Sequence, residues 1–253
     1  MAKLGKARLD QTLVSKGLAA SRNQAQALIM AGKVFIGETR LEKAGQVISD
    51  DLEITVRGAI HPWVSRGGQK LAHGLSYFNV DPSNAIVVDI GASTGGFTDV
   101  LLQNGAARVY AVDVGYGQLA WKLRQDERVI VLEKTNARYL DQELIPDAAD
   151  LIVCDASFIG LQTVLPATLA LAASDAVLIA LIKPQFEVGR SQVGKGGVVR
   201  NPKLHDDVCT RISEWLGALT GWSVMGITES PITGPEGNKE FLIGAQRVTH
   251  NAV

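Results

Sequence analysis

The sequence predicts a doubly wound α/β domain with a seven-stranded sheet, preceded by a small α+β module. Three observations carry this prediction. From residue 85 onward, strand-length apolar runs alternate with helical stretches in the βαβ manner. One such run passes through a turn of glycine and small residues straight into a helix: Val87-Val88-Asp89-Ile90-Gly91-Ala92-Ser93-Thr94-Gly95-Gly96-Phe97. The first 60 residues keep a different rhythm, two short helices followed by brief strands.

In that first stretch Leu9, Leu13 and Val14 share a helical face, and Gly17 ends the helix. Ser21 has the character of an N-cap for a second helix over 22–31, with Ala25, Leu28 and Ile29 inward. Gly32 stops it, and Val34, Ile36, Val47, Ile54 and Val56 then alternate with polar residues as short strands do. His61-Pro62-Trp63-Val64-Ser65 breaks the pattern, and Pro62 stiffens the joint by restricting its predecessor. The expected division is a module over 1–60, a linker over 61–66 and a larger domain over 67–253. Within the larger domain, strands are predicted at 85–90, 108–113, 128–132, 150–155, 176–182, 222–228 and 240–247. Helices are predicted at 67–78, 97–104, 117–124, 161–171 and 203–217.

Composition excludes several classes. Apolar residues make up 46% and charged residues 20% of the 253, which is ordinary for a globular protein. No run of about 18 apolar residues exists to span a bilayer, and the N-terminus lacks the apolar core of a signal peptide. A cytoplasmic protein without stable membrane association is therefore expected. Cys154 and Cys209 are too few for a disulfide framework. His61, His73, His205 and His250 show no ligand spacing, so no metal site is expected. Charge is unevenly distributed. Residues 1–66 hold ten basic against six acidic side chains, a net of +4, which leaves −5 for the rest of a chain whose formal charge is −1. A basic head on an acidic body points to a polyanionic partner.

The chemistry-bearing residues cluster at predicted strand ends, where open α/β sheets bind ligands. The turn is not a Walker loop, since no Gly-Lys-Ser/Thr closes it, and its spacing is not that of the dinucleotide fingerprint. Asp89-x-Gly91-x-x-x-Gly95-Gly96 with the acid at the strand end resembles S-adenosylmethionine-dependent methyltransferases. Six parallel strands with the last one reversed would be their variant of the doubly wound sheet. On that reading Asp89, Gly91, Ala92, Ser93, Thr94, Gly95, Gly96 and Phe97 contact the cofactor. Asp113, 24 residues beyond Asp89, stands where a carboxylate accepts both ribose hydroxyls, and Asn136 is a candidate for the adenine edge. Asp155 and Lys183 end the next two strands, and Lys183 runs directly into Pro184. Such a lysine can orient a hydroxyl nucleophile, or deprotonate it once its own pKa, near ~10.4 when free, has fallen. Lys70 would be the second cation, and Glu240 would hold one ammonium in place. The loop 189–200, with Arg190, Lys195 and Arg200 among glycines, suits an RNA-contacting lid.

Two resemblances extend this reading. Arg8-Leu9-Asp10, Gly17-Leu18, Ser21-Arg22-Asn23-Gln24-Ala25, Leu28-Ile29 and Gly32-Lys33-Val34 resemble the small RNA-binding module named for a ribosomal small-subunit protein. The expected RNA contacts are Arg8, Ser21, Arg22, Gln24 and Lys33, with Arg66 beyond the module. The whole chain resembles the TlyA (haemolysin A) family of ribosomal RNA ribose 2′-O-methyltransferases with an FtsJ-like catalytic domain. Further matching segments are Asp113-Val114-Gly115-Tyr116-Gly117-Gln118-Leu119, Lys183-Pro184-Gln185-Phe186-Glu187-Val188-Gly189 and Gly194-Lys195-Gly196-Gly197-Val198-Val199. The resemblance implies Lys70, Asp155, Lys183 and Glu240 as a catalytic tetrad. It also implies methyl transfer to a cytidine ribose in ribosomal RNA of an assembled subunit. A base methyltransferase would want an Asn/Asp-Pro-Pro-Tyr-like or cysteine-based site, and Asp155-Ala156-Ser157-Phe158 is neither. A membrane-active toxin would want a signal peptide, a spanning segment or an amphipathic cationic helix, and the sequence shows none of them.

Overall fold

A computed structural model describes residues 6–19, 21–49, 52–57 and 61–248. The residues divide into two units, 1–60 and 61–253. The end of the expected first domain at 58–60, and His250, lie outside the described residues.

The first unit orders its elements as β1 (Lys6–Arg8), α1 (Leu9–Ser15), α2 (Arg22–Met30), β2 (Val34–Ile36), β3 (Thr39–Arg40), β4 (Val47–Ser49) and β5 (Ile54–Val56). Ser21 is extended, and its hydroxyl accepts the Gln24 N–H at 3.3 Å, so it caps α2 as its position in the sequence predicts. Leu9, Leu13, Ala25, Ile29, Val34 and Ile54 form the small core. One strand faces the other way from expectation. Val47 is exposed and Ile48 is buried, because antiparallel pairing of β4 with β1 puts Val47 opposite Arg8 and Ile48 opposite Ala7. A one-residue difference in register exchanges the faces of a strand.

The second unit runs α3 (Gly68–Tyr77), β6 (Ile86–Ile90), α4 (Gly96–Gln103), β7 (Arg108–Val112), α5 (Trp121–Arg124), β8 (Val129–Leu132), β9 (Ala149–Cys154), α6 (Leu161–Val164), α7 (Pro166–Leu169), β10 (Ala172–Ile182), α8 (Pro184–Glu187), α9 (Pro202–Gly217), β11 (Trp222–Glu229) and β12 (Phe241–Arg247). Its seven strands lie in the order β11-β12-β10-β9-β6-β7-β8. The five from β10 to β8 are mutually parallel, and β12 is antiparallel to both neighbours. The fold is therefore the predicted one, with the reversed strand last in sequence and second from the edge.

Both faces of the sheet are covered, which is why its central strands read as continuous apolar runs. Val88, Ile90, Ile152 and Cys154 point into one layer with Val208, Ile212 and Leu216 of α9. Val87, Leu151 and Val153 point into the other with Leu71 of α3 and Val100 and Leu101 of α4. The chain enters at β6, winds outward to β8 and returns to β9 on the other side. That reversal opens a crevice beyond the carboxyl ends of β6 and β9.

Three predicted elements differ. The helix expected over 117–124 forms only at α5, because Gly117 (φ +73°) keeps the preceding stretch a loop. The helix expected over 161–171 divides into α6 and α7 at Pro166, whose ring nitrogen donates no hydrogen bond. The segment 61–66, expected as a linker, clusters with the second unit. There Trp63 and Val64 pack on its core, and the Val64 N–H donates to Asp99 Oδ2 at 2.8 Å.

Candidate active site

The turn after β6 holds its shape by backbone geometry. Gly91 has φ +80°, and a Cβ there would lie 2.9 Å from the backbone nitrogen of Ala156. The turn therefore packs against the end of β9 in a way only glycine permits. Asp113, just beyond β7, accepts the Ser93 N–H at 2.8 Å on one oxygen and the Gly115 N–H at 2.7 Å on the other. It thereby ties two loops around a cavity of about 500 Å³. Gly91, Ser93, Asp113, Gln118, Asn136 and Asp155 supply the polar lining, and Ile90, Val112 and Val164 the apolar floor. The Gly115 loop is propped from behind: Glu133 accepts the Gly117 N–H at 2.9 Å and pairs with Arg124. Asn136 presents its carboxamide at the wall while its oxygen accepts the Arg138 N–H at 3.1 Å.

The predicted cofactor residues separate into three positions. Gly91, Ser93, Asp113, Asn136 and Asp155 line the larger cavity. Ala92, Thr94, Gly96 and Phe97 line an adjoining cavity of about 230 Å³ instead, where they meet Ser65, Arg66, Gly67, Lys70 and Lys183. The two cavities share Gly91, Ser93, Asp155 and Ser157. Asp89 and Gly95 line neither. A Cβ on Gly95 would strike Leu123 and Leu119, so that glycine serves packing. Asp89 is fully buried inside β6 and accepts the Thr98 hydroxyl at 2.6 Å. Burial, opposed by that hydrogen bond and reinforced by the Asp155 charge, pushes its carboxyl up to about 7.

The shared edge holds the charged residues. Lys183 Nζ lies 2.6 Å from Asp155 Oδ1 and donates to the Asp155 carbonyl and the Ser157 hydroxyl, each at 2.9 Å. On the other side Lys70 Nζ lies 3.8 Å from Asp155 Oδ2 and 2.5 Å from Glu240 Oε2. Lys70, Lys183 and Glu240 are all but excluded from solvent, whereas the Asp155 side chain keeps 21% of its exposure, toward the cavities it lines. Two buried ammonium groups thus alternate with two carboxylates, the arrangement buried charges require. The order is Lys183–Asp155–Lys70–Glu240. Ser157 is a residue the sequence reading missed; its signal was its place on the carboxyl edge of β9. Neighbouring Cys154 is no nucleophile, since burial pushes its thiol up to about 12.

The expected RNA contacts lie in both units. In the first, Arg8 and Arg22 converge on buried Asp10, Ser21 caps α2 beside Gln24, and Lys33 follows the end of α2, half-buried. In the second, Arg66 is exposed and lines the smaller cavity. In the loop 189–200, Arg190, Lys195 and Arg200 are exposed. That loop is anchored at one end by Asn238, which accepts the Val199 N–H at 3.1 Å and donates to the Gly197 carbonyl at 3.0 Å. Among the described residues no group of three or more His, Cys, Asp or Glu is placed to hold a metal ion. No helix among them is long and apolar enough to cross a membrane.

A sheet of this order, with a carboxylate walling the switch-point cavity and paired lysines at its edge, defines a methyltransferase of the doubly wound class. Residues 63–247 match the FtsJ-like methyltransferase family, and residues 7–54 match the S4 domain. The chain belongs to the TlyA family of FtsJ-like methyltransferases. It is 48% identical to the 16S/23S rRNA (cytidine-2′-O)-methyltransferase TlyA of Mycobacterium tuberculosis, across 98% of this chain and 92% of that one. It is 50% identical to a candidate rRNA methyltransferase, YqxC, of Bacillus subtilis, across 94% and 85% respectively. Among solved structures, a candidate hemolysin of Streptococcus thermophilus is 42% identical, with a TM-score of 0.75 over 97% of this chain and 90% of that one.

Proposed function

We propose that the protein transfers a methyl group from S-adenosylmethionine to the 2′-hydroxyl of a cytidine ribose in ribosomal RNA, acting on assembled ribosomal subunits in the cytoplasm. The observation that carries this reading is the alternation of Lys183, Asp155, Lys70 and Glu240 on the edge shared by two cavities. It is supported by the relative of known naming that acts on rRNA cytidines and by an S4 domain at the basic end of the chain.

The residues fit the cofactor. The larger cavity offers one carboxylate to a ribose, a carboxamide beyond it and an apolar floor for a purine. Asp113 and Asn136 would hold the adenosyl part, and the turn with Gly91 and Ser93 the remainder. S-adenosylmethionine, when bound, supplies an already activated methyl group, so no metal is required. What remains for the protein is to place a ribose hydroxyl and receive its proton. Lys183, held by the Asp155 carboxylate and carbonyl, would give the N–H that now meets the Ser157 hydroxyl to the ribose hydroxyl oxygen and so aim its lone pair. Asp155, the one member of the four with open access, faces the hydroxyl proton. Lys70 and Glu240 hold Asp155 in register from behind, as positioning residues.

Purified protein and labelled S-adenosylmethionine are incubated with the large and small ribosomal subunits separately, and the modified nucleotide is mapped. Label on a ribose oxygen is expected, and Lys183→Ala should abolish it. No transfer to either subunit, with the variant indistinguishable from wild type, sinks the proposal.

A further inference from the structure

We infer that Asp10 is a positioning residue for RNA, holding the guanidinium groups of Arg8 and Arg22 together as one preformed phosphate-binding pair. This rests on the reading of the first unit as an RNA-binding module. Asp10 lies in the first turn of α1 and is fully buried. Its Oδ1 accepts Arg8 Nε at 3.0 Å and the Gln11 N–H at 3.0 Å. Its Oδ2 accepts Arg8 Nη2 at 3.2 Å, Arg22 Nη2 at 3.1 Å and Gln26 Nε2 at 3.0 Å. One carboxylate thus gathers an arginine from the end of β1 and another from the start of α2.

The two side chains remain 44% and 55% exposed. Of the five N–H donors each guanidinium carries, Arg8 uses two on Asp10 and Arg22 uses one. A phosphodiester would therefore meet two planar cations already fixed side by side. Two guanidiniums at that separation repel each other, and each long side chain would otherwise sample many rotamers. The buried carboxylate removes both costs before RNA arrives, which is how preorganisation raises affinity. It also stays ionised, since the Arg8 hydrogen bond holds it well below the usual carboxylate range.

The arrangement makes a prediction opposite to simple charge counting. Asp10→Asn adds one positive charge to a basic surface, so a surface acting by net charge alone would bind RNA more tightly. If Asp10 positions the pair, binding weakens. Arg8→Lys tests the same idea at constant charge, because an ammonium cannot make the two-point grip on Asp10.

The full-length chain and its variants are titrated against purified large and small ribosomal subunits across a range of salt concentrations. Folding of each variant is followed by circular dichroism, and cofactor affinity by calorimetry. Asp10→Asn and Arg8→Lys are each expected to weaken subunit binding about tenfold. The salt slope should fall by about one despite the added charge in Asp10→Asn. Cofactor affinity should be unchanged. Arg22→Glu separates the two levels of the argument. If it weakens binding while Asp10→Asn binds as tightly as wild type or more so, the positioning role is overturned and the RNA-binding surface stands. If Arg22→Glu binds like wild type, the surface itself fails and the proposal with it. Should Asp10→Asn unfold the first unit, Arg8→Lys decides: unchanged affinity overturns the role.

Discussion

Lys183 grips Asp155 at two points, its side-chain carboxylate at 2.6 Å and its main-chain carbonyl at 2.9 Å. The grip follows from strand register. β10 and β9 are parallel neighbours with Ala180 opposite Cys154, and that register carried forward sets Lys183 level with Ser157, two residues past Asp155, so its ammonium reaches back to both. Hydrogen bonds to a carbonyl and a hydroxyl, together with the ion pair to the carboxylate, fix the position of the ammonium.

Lys183→Arg retains the charge but cannot place a planar fork where a compact ammonium meets three oxygens in a buried site. Methyl transfer in a single turnover should fall by roughly 100-fold or more, with cofactor affinity by calorimetry near wild type. Activity within a few fold of wild type would mean that charge alone suffices there.

Asp113→Asn should weaken cofactor binding. Both oxygens of Asp113 already accept main-chain N–H groups from the two loops that close the larger cavity. Asparagine has one acceptor oxygen in place of two, so one loop loses its tether and a ribose hydroxyl loses its acceptor. The dissociation constant should rise by about tenfold or more, with a smaller change in turnover at saturating cofactor.

Asp89 makes the second unit sensitive to pH. Its carboxyl titrates at about 7 in the fold against 3.8 when free. Between those values the folded state holds a proton that the unfolded chain has released, so stability falls as pH rises and levels off above 7. The loss amounts to up to about 4 kcal/mol. Asp89→Asn keeps an oxygen for the Thr98 hydroxyl and removes the titration. Its stability relative to wild type, from denaturant titrations, should rise from pH 4 to pH 7 and then remain constant. A difference independent of pH would refute the assignment.

Gly91→Ala should destabilise the second unit by about 2 kcal/mol or more, since it combines a left-handed backbone with a clash against main chain that cannot yield. Its thermal midpoint should drop by roughly 5 °C. Gly117→Ala is the control: it shares the positive φ but has open space around its Cβ position, so its cost should be the smaller of the two.

Much of the site was legible because its signals are local. The sequence 87–97 carries its own turn, Asp113 and Lys183 announce themselves as polar residues closing apolar runs, and Ser21 caps α2 where its residue type says it should. Two of the departures share one cause. Asp89 and Asp113 look alike in sequence, each an acid at the end of an apolar strand. Asp89 falls one residue inside β6 and is buried, while Asp113 falls one residue past β7 and faces the cavity. Val47 and Ile48 exchanged faces for the same reason, because a single step of register reverses a strand's inward side.

Alternating apolar runs and glycine turns depend only on neighbours in the chain, so the sequence alone determined the doubly wound class and the residue types at the cavity rim, while the reversed last strand was implied by the resemblance to methyltransferases. Which ammonium Glu240 holds was decided only by the fold. Lys70 and Glu240 are 170 residues apart and meet because α3 packs beside the start of the last strand. Likewise, Asp10 tying Arg8 to Arg22 exists only once β1, α1 and α2 have closed on one core. Charges at the surface can be counted from sequence, but the partner of a buried charge is chosen by packing, since burial makes an unpaired charge too costly to keep.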